Sequence, residues 1–256
     1  MTILENISYD PALGRSGLYD MILPGNPGED CDDLFVYIHG GGIEGGDKAG
    51  ERGVFTYLAE RGVACASINY RMYPVGAKFP EYIEDCAKAV AHIMTEGRKI
   101  VNFRRITVGG SSAGGYLSMM LFFDHKYLGA HGISPRDIDG LYFDAGQPTT
   151  HFNILAKERG IDPFAVRIDE AAPMYFVDHR FEDPDTLPRL HFVWSENDMA
   201  LRPEQSELMV RLLKHYGYPH NKLGQTFMPH NGHCEYVSKS ALFGEMIAGF
   251  LKGFAK

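Results

Sequence analysis

The run Gly109-Gly110-Ser111-Ser112-Ala113-Gly114-Gly115 sits between a β-branched stretch at 106–108 and an apolar segment at 113–123. Gly110 and Gly114 flank Ser112 in the spacing G-x-S-x-G. A serine lifted onto a sharp strand-to-helix turn needs neighbours without side chains two residues away on each side, or the backbone collides with itself. The run therefore predicts a strand ending near 108, a strained turn at Ser112 and a helix over 113–123. The helix would aim its N-terminal amides at the serine hydroxyl. Ser111 competes as the exposed hydroxyl, but its frame, Gly109-x-Ser111-x-Ala113, lacks the second glycine.

Around this unit the chain alternates strand-like and helix-like segments. Extended stretches at 3–9 and 17–23 suit an antiparallel edge pair, and further strands are predicted at 34–39, 63–69, 106–108, 141–143, 190–194 and 225–228. Helices are predicted at 50–61, from Pro80 to about 97, at 113–123, 204–217 and 238–255. In the second of these, Ile83, Ala87, Val90, Ala91 and Met94 form one apolar face. The pattern is that of an α/β fold: a mostly parallel eight-stranded sheet with helices on both faces. Residues 1–256 read as one domain. The stretch between the strands at 141 and 190 is too long for a plain connection and is expected to hold a helical lid insertion at about 145–185.

The formal net charge of −8 argues against nucleic acid or an anionic membrane surface as partner. No apolar run approaches the ~18 residues of a membrane helix. The first eleven residues, MTILENISYDP, lack the basic and apolar regions of a signal peptide. Cys31, Cys65, Cys86 and Cys234 show no CxxC spacing and read as free thiols, so cytoplasmic residence is expected.

A second glycine run, His39-Gly40-Gly41-Gly42, directly follows the strand predicted at 34–39. Acyl transfer develops a negative oxygen that needs preorganised donors close by. The N–H groups of Gly41, Gly42 and Ala113 are the expected donors. A phosphate cradle is disfavoured, because no Lys-Ser/Thr follows at the required spacing.

A serine nucleophile of this kind needs an acid and then a base later in the chain. His233, after a glycine and just ahead of the last helix, is the expected base, with His230 its rival. Asp198, just past the strand predicted at 190–194, is the expected acid, with Glu196 and Asp144 as alternatives. The i, i+3 spacing of the two histidines lacks the further ligands of a metal site. His125, His151 and His191 read as surface or packing residues. No metal or organic cofactor is expected, and the partner is a small-molecule ester.

With HGGG, GSSAGG, Asp198 and His233 in this order, the chain resembles the hormone-sensitive-lipase-like branch of the α/β-hydrolase esterases over roughly residues 34–250. That branch usually has GDSAGG, so Ser111 stands where aspartate is common. Asn69-Tyr70-Arg71 to Pro74, Phe79-Pro80 and Asp85 also resemble family segments, in which the arginine and the helix aspartate tie loops beneath the site. Ala171-Ala172-Pro173-Met174-Tyr175 is similar to the family turn ahead of the acid strand. Larger members carry a helical cap before the HGGG strand. This chain has a strand pair there, which leaves substrate enclosure to 145–185. The resemblance implies a serine carboxylesterase for short acyl groups, including acetylated or feruloylated carbohydrate esters. An aryl-formamidase-like amide hydrolase is the alternative, and a catalytically silent ligand-binding member of the fold is the reading outside enzymes. After HGGG comes Ile43-Glu44, where the family often has an aromatic. Glu44 is read either as a ligand for a substrate hydroxyl or amine, or as a solvated loop carboxylate.

Overall fold

The computed structural model describes residues 1–177 and 181–254; residues 178–180, within the expected lid, lie outside the described residues. The chain opens with β1 (Thr2–Ser8) and β2 (Leu18–Leu23), then β3 (Asp30–Ile38), α1 (Arg52–Ala59), β4 (Val63–Ile68) and α2 (Glu81–Thr95). It continues through β5 (Asn102–Ser111), α3 (Ala113–Phe123), the short α4 (Lys126–Gly129) and β6 (Gly140–Asp144). The last elements are β7 (Arg189–Asn197), α5 (Arg202–His215), β8 (Leu223–Gly232) and α6 (Ser240–Lys252).

One eight-stranded sheet runs in the order β1-β2-β4-β3-β5-β6-β7-β8. The pairs β1/β2 and β2/β4 are antiparallel, and all others are parallel. The alternation of β3 explains how the sheet is covered. Leu34, Val36 and Ile38 enter the core layer shared with α2 and α3, while Phe35 and Tyr37 enter the layer shared with α1 and α6. Both faces are buried, so the strand reads as a continuous apolar run. All residues of α3 are buried, as expected of a helix that is apolar all round.

Three expectations change in detail. The buried face of α2 takes in Ala89 and Ile93, while Ala91 and Met94 are only half-buried, so the face is rotated from the expected one. β8 extends to Gly232 and takes in His230, which the sequence places in a loop. The insertion is not a helical lid among its described residues: after a short turn of π-helix at Ile154–Glu158, it holds only brief 3-10 turns. Gly160, Pro163, Pro173 and Pro184 interrupt any longer helix. Side chains pin the segment instead. Glu158 accepts from the Tyr73 hydroxyl at 2.8 Å and the Phe79 N–H at 3.0 Å, and Tyr116 donates to the Ala171 carbonyl at 2.8 Å. Among the described residues, no helix is long and apolar enough to cross a membrane.

Candidate active site

β5, β7 and β8 run parallel and end on the same side of the sheet, so the residues that follow them meet there. Ser112 comes directly after β5, Asp198 directly after β7 and His233 directly after β8. Ser112 holds φ 56° and ψ −116°, a strained conformation for a residue with a side chain. Its N–H donates to the Asp144 carbonyl at 2.8 Å. The close approach behind the turn explains one flanking glycine: a Cβ on Gly114 would lie 1.8 Å from the Ile38 carbonyl oxygen.

His233 Nδ1 lies 2.5 Å from Asp198 Oδ1, and His233 Nε2 lies 2.8 Å from Ser112 Oγ. A carboxylate only accepts, so Nδ1 carries the hydrogen and Nε2 is left to accept from the serine hydroxyl. The Asp198 side chain is fully shielded from solvent and also accepts the Met199 N–H at 2.7 Å. This line of three groups can deprotonate a serine hydroxyl as it attacks and hold the imidazolium that results.

The rival residues are occupied elsewhere. Glu196 lies 3.2 Å from His230 Nδ1 and accepts the His230 N–H at 2.8 Å, and this His230 side chain is 90% exposed. Ser111 Oγ is buried beneath the turn on the side of the Asp144 carboxyl. Asp144, fully buried at the end of β6, accepts from the Tyr236 hydroxyl. Burial pushes its carboxyl up to about 6, with the Ser111 and Tyr236 hydroxyls pulling the other way.

Gly41 and Gly42 follow β3 with φ of 103° and 67°. A Cβ on Gly41 would lie 2.1 Å from the Gly45 carbonyl oxygen, so this tight loop admits only glycine there. Among the described residues, no acceptor meets the N–H of Gly41 or Gly42, nor that of Ala113 at the first position of α3. The glycine loop and Ser112 border one cavity of about 750 Å³, with His233, Phe152 and Met199 also in its wall.

Glu44 is a partly exposed loop carboxylate, as one of the two readings has it, and it is engaged by protein partners. It pairs with Lys157 at 2.5 Å and accepts from Asn153 Nδ2 at 2.9 Å, and both contacts hold its carboxyl below the usual range. Asn153 Nδ2 also donates to the Gly42 carbonyl at 2.7 Å, so the insertion grips the glycine loop. Arg71 forms a two-pronged pair with Asp85, both contacts 2.8 Å, and its N–H adds a third at 3.0 Å. His151 is a buried packing residue between Phe152 and Tyr116, its imidazole pushed well below the usual range by burial. All four cysteines are unpaired. Cys234 Sγ lies 3.8 Å from His233 Nε2, and burial raises its thiol well above the usual range.

The sequence reading missed Phe152, Asn153, Met199, Arg202 and Tyr236. Met199 and Arg202 were within reach of it, as they closely follow the expected acid in the chain. Phe152 and Asn153 carry no local pattern that distinguishes them from other residues of a long connection.

The BD-FAE family model matches residues 19–130. No curated protein matches the chain. Among solved structures, the chain is similar to esterase B of Lactobacillus rhamnosis, at 15% identity over 98% of this chain and 85% of that one, TM-score 0.76. It is also similar to a truncated carbohydrate esterase from gut microbiota, at 18% identity over 100% and 97% of the two chains, TM-score 0.75. A hyperthermophilic esterase of the archaeon Pyrobaculum calidifontis matches at 21% identity over 99% and 86%, TM-score 0.70. The chain has the α/β-hydrolase fold.

Proposed function

We propose that this chain is a serine carboxylesterase that hydrolyses esters of short acyl groups, with Ser112, His233 and Asp198 as its triad. The observation that carries the reading is the unbroken line from Ser112 Oγ through both ring nitrogens of His233 to the shielded carboxylate of Asp198. Ser112 Oγ adds to the ester carbonyl as His233 Nε2 takes its proton. The negative oxygen is received by the amides of Gly41, Gly42 and Ala113. The tetrahedral intermediate expels the alkoxide, which takes the proton from His233 and leaves as alcohol, with the acyl group on Ser112. Water, deprotonated by His233, then adds to the acyl-enzyme and releases the acid, and the proton returns to Ser112. The steps consume one water and need no redox partner.

Residues 1–256 are read as one domain, with 145–185 walling the substrate cavity through Phe152. Four unpaired thiols fit a cytoplasmic setting. The carbohydrate esterase among the structural neighbours brings acetylated sugars and methyl ferulate into the substrate range to be tried. The test is a panel of p-nitrophenyl esters of rising acyl length, acetylated sugars, methyl ferulate and an aryl formamide, run beside fluorophosphonate labelling. Turnover of short esters with label on Ser112 is expected. Preference for the formamide would redirect the reading to amide hydrolysis, and failure of both turnover and labelling would overturn it.

A further inference from the structure

A second cavity of about 310 Å³ adjoins the catalytic one, and Phe152 and Met199 stand in the walls of both. At roughly 30 Å³ per heavy atom, water's share of liquid volume, it takes a group of about ten heavy atoms. Much of the lining is apolar, including Phe164 and Pro163 as well as the two shared residues. Arg202 also lines it, and this arginine is 4% exposed.

A buried guanidinium is normally met by a carboxylate, because an uncompensated buried charge is costly. Here Arg202 Nη1 donates to the Ala145 carbonyl at 2.6 Å, and Nη2 donates to Gln147 Oε1 at 3.2 Å and faces Met199 Sδ at 3.7 Å. Among the described residues, no carboxylate lies within ion-pair distance of it. Asp198 acts on it through space: its Oδ1 accepts from His233 and Met199, and its Oδ2, without a hydrogen bond, lies beyond ion-pair distance of the guanidinium. An arginine offers five N–H donors, more than these neutral acceptors use. Gln147 is fully engaged: Oε1 accepts from Arg202 and the Phe152 N–H, and Nε2 donates to Thr149 and Thr150. Gln205, also in the wall, accepts from Thr149 through Oε1 at 2.7 Å, which leaves its amide nitrogen as the free donor. The spare polar capacity of Arg202 and Gln205 is therefore donor only, within an otherwise largely apolar space.

We propose that this side cavity binds a carboxylate carried on an apolar arm of the substrate, so that the preferred esters are anionic ones with the charge held by Arg202 and Gln205. The proposal rests on the esterase reading above and adds the chemistry of the substrate arm. The carboxylate sits either on the acyl part or on the alcohol part.

The experiment compares kcat/KM for matched pairs. Monomethyl adipate against methyl hexanoate tests the acyl arm, and the acetate ester of 6-hydroxyhexanoic acid against hexyl acetate tests the alcohol arm. In one arm the anionic member is expected to lead by about tenfold or more, the effect of a charged hydrogen bond. Arg202→Gln should bring that ratio towards unity. Because Arg202 also holds the Ala145 carbonyl, Gln205→Glu serves as the second variant. It keeps the arginine, places a carboxylate beside it, and should abolish the same preference. Calorimetric titration of the Ser112→Ala protein with adipate reads the cavity without turnover, and binding that is lost in Gln205→Glu is expected. Neutral esters hydrolysed with no anionic preference in either arm would overturn this proposal alone. Absence of all ester turnover would count against the esterase reading, and the adipate titration would then decide the cavity's ligand by itself.

Discussion

Tyr236 donates its hydroxyl hydrogen to the buried carboxyl of Asp144, beneath the turn that carries Ser112. The backbone carbonyl of the same aspartate accepts the Ser112 N–H at 2.8 Å. Tyr236 lies three residues after His233, in the segment between β8 and α6. One residue at the end of β6 thus ties the turn of Ser112 to the segment bearing the His233 imidazole.

That arrangement makes stability depend on pH in a definite direction. Burial raises the Asp144 carboxyl from 3.8 to about 6, so the folded chain keeps this proton in a window where the unfolded chain has released it. Its contribution to stability is full below about pH 4 and is lost as pH rises through about 6. Asp144→Asn stays neutral and can still accept from Tyr236. Relative to the parent it should therefore gain about 2 kcal/mol between pH 4.5 and 7.5, since holding a proton costs about 1.4 kcal/mol for each pH step separating the folded and unfolded values, and part of that cost is already felt at pH 4.5. Urea unfolding at the two pH values measures this, because carboxylates common to both proteins cancel in the difference. A gap that does not change with pH would refute the burial argument.

Ser112→Ala removes the hydroxyl and little packing, because the side chain is only half-buried. The ester kcat should drop by roughly 10⁴-fold or more, as triad deletions do. Circular dichroism and the unfolding midpoint should stay close to the parent's. Retention of the parent rate on p-nitrophenyl acetate would eliminate Ser112 as nucleophile.

Gly114→Ala should destabilise the fold by about 3 kcal/mol or more, since the new Cβ would press on the Ile38 carbonyl and backbone cannot move aside cheaply. Gly45→Ala is the control. No atom lies within 4 Å of its Cβ position, so a change within about 1 kcal/mol is expected. Thermal unfolding of the pair checks the contrast, and equal midpoints would contradict the close approach.

Asn153→Ala should lower kcat/KM by about tenfold and stability by about 1–2 kcal/mol, because Nδ2 holds the carbonyl of Gly42 in the cavity wall. Lys157→Ala breaks the ion pair with Glu44, whose side chains are 39% and 47% exposed, and a 5.7 Å contact of the ammonium with the Tyr73 ring, and should cost about 1 kcal/mol. Steady-state kinetics and melting curves on both variants separate the two contacts. Equal effects on activity would mean that the grip on Gly42 is irrelevant to the site.

Much of the sheet was legible in the sequence because each strand or helix writes its own period locally. The apolar run ending at Ile38 marks a buried strand, and the all-apolar segment 113–123 coincides with α3. The insertion was legible in extent but not in form. Its length announced an irregular segment, while its pinning by Glu158, Asn153 and Ala171 depends on partners as many as 111 residues away in the chain. The role of Glu44 escaped for the same reason: its partners Asn153 and Lys157 lie across the fold.

By itself, the sequence determined the strained bend at Ser112 and the glycine loop after β3, since each follows from steric demands within a few residues. Only the tertiary structure decided between neighbours such as His230 and His233. The parallel pairing of β8 with β7 leaves His230 near the exposed end of its strand beside Glu196, and carries His233 past that end to Ser112. Backbone sterics act over a few bonds, whereas the choice of partner is a matter of register between strands far apart in the chain.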